Sequence, residues 1–141
     1  MAPSVSVALC THNGARFLPD QVQSICIQEP PPRQLVLSDD ASTDASVDVV
    51  RDTVARCDPD GRIELTVLRN ETALGITANF EQAIRACTSE LIALSDQDDI
   101  WHAGRLARMT AWFEAQPRLL LLCTDARLVD DGGQPLGQTL F

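Results

Sequence analysis

Short apolar runs alternate with helix-period segments along this chain, and that alternation leaves few folds open. Val5-Ser6-Val7-Ala8-Leu9-Cys10, Leu35-Val36-Leu37, Ile63-Glu64-Leu65-Thr66-Val67-Leu68, Leu91-Ile92-Ala93-Leu94 and the run 119–123 read as strands. Ile63 to Leu68 alternates as a strand with one solvated face, and Leu119-Leu120-Leu121-Leu122 reads as core. Between the runs, Leu18, Val22, Ile25 and Cys26 recur at helical spacing, as do Val47, Val50 and Val54. Phe80, Ala83, Ile84 and Cys87 do the same, then Leu106, Met109 and Phe113. These spacings predict helices over about 15–27, 45–56, 77–86 and 103–115, the second capped by Asp44 or Thr43. Asp131-Gly132-Gly133 predicts a hairpin turn into a last segment, 135–141. The order βαβαβαβαβ plus a hairpin predicts an α/β fold: one mostly parallel sheet flanked by helices, joined by right-handed crossovers. At 141 residues the chain, 1–141, is a single domain with room for a core.

Composition narrows the function. A net charge of −9 argues against nucleic acid as a partner. All eleven basic residues are Arg, which excludes a Lys-bearing phosphate loop and Schiff-base chemistry and argues against a phospho-accepting receiver domain. Cys10, Cys26, Cys57, Cys87 and Cys123 are odd in number, widely spaced and without a C-x-x-C pair, so they read as free thiols in a reducing cytoplasm rather than as disulfides or a zinc site. The N-terminus lacks a signal pattern, and no run approaches the ~20 apolar residues of a membrane span.

Two strands deliver acid. Leu91–Leu94 runs into Ser95-Asp96-Gln97-Asp98-Asp99, and Leu35–Leu37 runs into Ser38-Asp39-Asp40-Ala41-Ser42-Thr43-Asp44. In a parallel sheet the strand ends share one edge, where α/β folds bind ligands. The turn Thr11-His12-Asn13-Gly14 joins them there. Carboxylates accept N–H and O–H groups from a nucleoside but repel a diphosphate, so a divalent cation must bridge the two. Mg²⁺ or Mn²⁺ fits an all-oxygen donor set that uses one or two carboxylates plus phosphate oxygens. His12 and His102 read as loop residues, Trp101 as packing, and Gly75 as a turn former rather than a phosphate contact.

Four segments in order resemble the nucleotide-binding half of an inverting family 2 glycosyltransferase of the GT-A fold. They are Val5 through Gly14, Leu37 through Asp44, Arg69 through Phe80, and Ser95-Asp96-Gln97-Asp98-Asp99-Ile100-Trp101, covering about 4–106. The last segment is most similar to bacterial transferases that build rhamnose-containing surface polysaccharides. The resemblance implies a GT-A-like, Rossmann-like sheet. It implies a UDP- or dTDP-sugar donor, a saccharide or lipid-linked acceptor, and Mg²⁺ or Mn²⁺ as cofactor. It places Thr11 and Asn13 at the nucleotide, and Asp39 or Asp40 at the base N3–H, the choice between them left open. Asp96 falls at the ribose and diphosphate and, with Asp98, at the metal; Asp99 supports them from behind. The location implied is cytoplasmic, with peripheral association at the inner face of the membrane.

The chain departs from the family by its length, which implies truncation on the acceptor side. The general base for inverting transfer is expected to be absent: Asp125, Asp130 and Asp131 match a segment that precedes it, and none is assigned the role. Ala41 stands where a Gly is common. Two readings follow: a transferase seen as a short chain, or a non-catalytic nucleotide-sugar-binding module completed by a partner. A purely structural domain would have to treat four ordered motifs as coincidence. Apolar surface left uncovered on the truncated face predicts self-association.

Overall fold

The computed structural model describes residues 2–141. Its first four strands are β1 (Val5–Thr11), β2 (Gln34–Asp39), β3 (Glu64–Arg69) and β4 (Leu91–Ser95). They form one parallel sheet in the order β3-β2-β1-β4. β1 and β2 are buried along their whole length, as central parallel strands are, and their buried polar members Ser6, Gln34 and Ser38 are hydrogen-bonded.

Helices cover both faces. α1 (Leu18–Cys26) and α2 (Ser46–Cys57) pack on one, where Val7, Leu9, Leu18, Val22, Ile25, Leu35, Leu37 and Val50 make the main core. Trp101 and Leu106, the latter on α4 (Arg105–Ala115), join that core. α3 (Ile76–Ala86) lies on the other face, where Ala83 and Phe80 meet Ala8, Cys10 and Val36. The chain changes face as it passes from β3 on one edge to β4 on the other. The ends of β1 and β4 therefore flank the point where strand order reverses, and a crevice opens there. Among the described residues no helix is long and apolar enough to cross a membrane.

The structure alters several expectations. α1 begins at Leu18, not at 15, with Pro19 in its first turn, where a missing N–H costs nothing. α2 has Ala45 at its N-cap; Asp44, one residue earlier, still accepts the Ser46 N–H at 2.9 Å. β3 is partly covered on both faces instead of alternating, because Leu65 and Val67 pack toward α2 while Leu68 packs toward α3. The strand expected over 119–123 is not formed. Among the described residues, 119–123 pair with no strand, and Leu120 and Leu121 are 93% and 76% exposed, so this run is not core. Hydrophobicity alone made it strand-like; among the described residues β4 has no partner on its outer edge, and Leu119 and Leu122 are only partly covered. The hairpin does form, as β5 (Arg127–Val129) and β6 (Pro135–Thr139) in a separate antiparallel pair. The five cysteines are free; Cys10 and Cys26 are buried, whereas Cys123 is exposed.

Candidate functional site

Register brings the three polar loops to one edge. Thr11 pairs with Asp39, and Leu9 with Ser95, so β1, β2 and β4 end side by side. A cavity of about 440 Å³ opens there. Thr11, His12, Asp40, Asp96, Gln97 and Asp98 line its polar side; Cys10, Ala73, Ile76 and Phe80 line its apolar side. A flat ring with a polar edge suits such a cleft.

Strand alternation separates the two acids that follow β2. Asp39 points to the α1 and α2 face with Leu35 and Leu37, is fully buried, and lies outside the cavity. Its Oδ2 accepts the Ser42 N–H at 3.2 Å and faces Arg69 Nε at 3.8 Å, while Oδ1 has no partner among the described residues. Asp40 points the other way, into the cavity. Its Oδ1 accepts Asn70 Nδ2 at 2.9 Å and the Leu74 N–H at 2.7 Å, and its Oδ2 accepts the Gly75 N–H at 2.9 Å. Burial alone would raise the Asp40 carboxyl. The hydrogen bonds from Leu74, Asn70 and Gly75, with His12 nearby, outweigh it and hold Asp40 below the usual carboxylate range. Gly75 makes the close approach possible through its φ of 87°, the turn role expected of it.

Asn70 is held in turn. Gln82 Nε2 donates to Asn70 Oδ1 at 3.0 Å, and Asn79 is tied to Ser38 by paired bonds of 2.6 and 2.9 Å. These amides, all within or just after the Arg69–Phe80 motif, orient the Asp40 cradle. Individual roles for them were not legible, because amide side chains carry no pattern of their own.

The acidic loop is anchored from behind. Gln21 and Ser24 on α1, and Gln28 just past its end, are buried polar residues on one helical stripe. Gln21 Nε2 donates to Ser95 Oγ. Ser24 Oγ accepts the Trp101 N–H at 3.0 Å, and Gln28 bonds the His102 carbonyl at 3.0 Å and the Leu106 N–H at 3.1 Å. Sequence reasoning passed over this clamp. Its signal was three polar residues set among the apolar positions of a helix.

Asp96 and Asp98 face the cavity together. Burial, then the charge of Asp98, pushes the Asp96 carboxyl up; burial and both neighbouring acids push Asp99 up, with Arg105 opposing. Crowded carboxylates of this kind suit a hard cation. Among the described residues no three His, Cys, Asp or Glu side chains converge as a self-sufficient metal site, so a cation here would need ligand oxygens as well.

Asn13 is not among the residues lining the cavity: its Oδ1 accepts the Thr43 N–H at 2.9 Å and so joins the first two loops. His12 donates from Nδ1 to the Asp40 carbonyl at 2.6 Å, and Trp101 is core, stacked under Arg105. Asp125 and Asp130 are spent on turns, accepting the Ala126 and Phe141 N–H groups and the Gly132 and Gln134 N–H groups respectively. Asp131 faces Arg16 at the surface.

Comparison with known proteins gives a consistent family. The profile described as glycosyl transferase family 2 matches residues 6–139. The succinoglycan biosynthesis protein ExoU of Rhizobium meliloti (strain 1021) is 34% identical over 105 residues, 74% of this chain and 29% of that protein. Mannosyltransferase PcManGT from Pyrobaculum calidifontis, solved with GDP-Man and Mn²⁺, is 29% identical with a TM-score of 0.71, over 80% of this chain and 33% of that one. S. aureus TarS 1-349, solved with UDP, shares the fold at 23% identity and a TM-score of 0.71, over 81% of this chain and 33% of that one. The chain spans about half the length, or less, of the curated relatives it matches.

Proposed function

The chain belongs to glycosyl transferase family 2, with a GT-A-like sheet, and from that premise we propose that it supplies the donor site of a polysaccharide-building transferase. The donor is a UDP- or dTDP-sugar, the acceptor a saccharide or lipid-linked saccharide, and transfer proceeds with inversion at the cytoplasmic face of a membrane.

One observation carries the choice of base. An ionised carboxylate offers about four acceptor sites. Asn70, Leu74 and Gly75 occupy three of those of Asp40. The vacant one, on Oδ2, suits a single ring N–H, such as N3–H of uracil or thymine. Guanine presents N1–H beside an exocyclic amine and needs two acceptors. Solved relatives hold UDP in one case and GDP-Man in another, so family membership alone does not choose. Asp40 is thus the base contact; Asp39 and Asn13 brace the loops that carry it.

Asp96 and Asp98 would hold Mg²⁺ or Mn²⁺ with the diphosphate. When bound, the cation stabilises negative charge on the leaving nucleoside diphosphate. The residues' own contribution is to place two oxygen donors beside the base pocket. No carboxylate here is assigned as general base.

Calorimetric titration of UDP, dTDP and GDP, with Mn²⁺ and with EDTA, tests this reading. UDP or dTDP should bind at least about tenfold more tightly than GDP, a difference of ~1.4 kcal/mol, and Mn²⁺ should strengthen binding. Equal GDP affinity, or no binding by folded protein, would overturn it. A non-catalytic binding module predicts the same titration but no transfer by the longer relatives' counterpart of this chain.

A further inference from the structure

Gln97 sits between the two acids assigned to the metal, yet its own bonds run to β1. Its Oε1 accepts the Thr11 hydroxyl at 2.7 Å and the His12 backbone N–H at 2.9 Å. The amide orientation is fixed by its partners: a backbone N–H can only donate, so the oxygen and not the nitrogen must face it. The Thr11 hydroxyl must then be the donor in the other bond. The hydrogen of Thr11 is spent on Gln97, and only lone pairs remain for anything in the cavity.

Gly14 supplies independent evidence that this contact is built in. A Cβ at position 14 would collide with the Gln97 amide and approach Thr11 Oγ1 to 2.7 Å. The glycine leaves room for the pair, and its N–H is held by Ser46 Oγ at 2.9 Å.

We propose that Gln97 is a positioning residue that locks the β1 loop to the acidic loop and fixes the hydrogen-bond polarity of Thr11. Thr11 then meets the nucleoside only as an acceptor, selecting a ribose O–H donor, since the single ring N–H of uracil or thymine goes to Asp40. This rests on the nucleotide-site reading above. It extends that reading by giving the residue between the two aspartates a task at the nucleoside rather than at the cation.

Uridine is the test ligand, because without phosphates it needs no cation and is not repelled by added charge. Its affinity is measured by NMR titration for wild type, Gln97→Met, Gln97→Glu and Thr11→Val. Hydrogen exchange of the His12 amide reads the lock in the absence of ligand. Gln97→Met should speed His12 exchange about tenfold and weaken uridine about tenfold, as expected for one lost hydrogen bond. Gln97→Glu, which accepts both bonds, should restore both values to within about threefold. Thr11→Val should weaken uridine without further loss when combined with Gln97→Met. Gly14→Ala, which crowds the pair from outside, should reproduce the His12 effect. Unchanged His12 exchange in Gln97→Met overturns the proposal, as does a Gln97→Glu variant no better than Gln97→Met. If wild type binds neither uridine nor UDP with Mn²⁺ while the Met and Glu variants still differ in exchange, the lock stands and the nucleotide reading falls.

Discussion

At the scale of single residues, the site holds carboxylates in opposite electrostatic states. Asp40 is favoured as an anion by three donors; Asp96 is disfavoured as an anion by burial and the charge of Asp98, and Asp99 by burial and the charges of Asp96 and Asp98. The pH consequences differ in sign. The unfolded chain protonates its aspartates near ~3.9. The stabilising contribution of Asp40 is therefore complete above that value and is lost as pH falls through its lower folded-state value. Asp40→Asn should flatten the acid limb of a stability–pH curve. It should also cost about 1–3 kcal/mol at neutral pH, because an amide nitrogen would face N–H donors. Denaturant titrations at several pH values check both. Asp96 and Asp99 work the other way, costing stability once they ionise. Asp98→Asn relieves part of that cost, and should raise the melting temperature of the metal-free chain by about 2 °C. It should at the same time remove the metal dependence of nucleotide binding. A lower melting temperature in EDTA would assign Asp98 a structural role instead.

At the scale of elements, the sheet was legible because period and punctuation agreed. Four of the five expected strands and all four helices formed, since each apolar run met a neighbour that could bury it. The run 119–123 had the composition of a strand but no partner, and composition cannot report a missing neighbour. In the site, Asp96 and Asp98 were legible as an acidic pair after a strand. The choice between Asp39 and Asp40 was not, because it depends on which face of the sheet β2 presents at its end. Least legible was the clamp of α1 on the acidic loop, where the decisive groups are backbone atoms of Trp101, His102 and Leu106. Gln28→Leu tests its importance. It keeps the volume but leaves the His102 carbonyl and the Leu106 N–H without their present partner, which should cost about 2–3 kcal/mol. Amide exchange at Trp101 and Leu106 should quicken, and Mn²⁺-dependent UDP affinity should fall more than uridine affinity. An equal fall in both would mean that the helix supports the whole sheet edge rather than the acidic loop.

At the scale of the molecule, two forces oppose each other. α3 covers β1 and β2 but not β4, so Ile92 and Leu94 remain 40% and 53% exposed on an edge strand whose outer backbone has no strand partner among the described residues. Apolar side chains beside an open strand edge favour pairing with a second copy. The net charge of −9 opposes it. Salt separates the two, because it screens repulsion between chains while leaving apolar burial intact. Sedimentation equilibrium of this 141-residue chain should therefore show a dimer fraction that grows between ~0.02 M and ~0.5 M NaCl, where the screening length falls from roughly 20 Å to below 5 Å. Replacing Ile92 and Leu94 together by Arg should hold the chain monomeric throughout, since both positions lie on the exposed side of β4 and carry no core contact. A dimer that weakens with salt would instead place ion pairs at the contact. One that survives the double substitution would move the contact away from β4, toward the exposed leucines at 120 and 121.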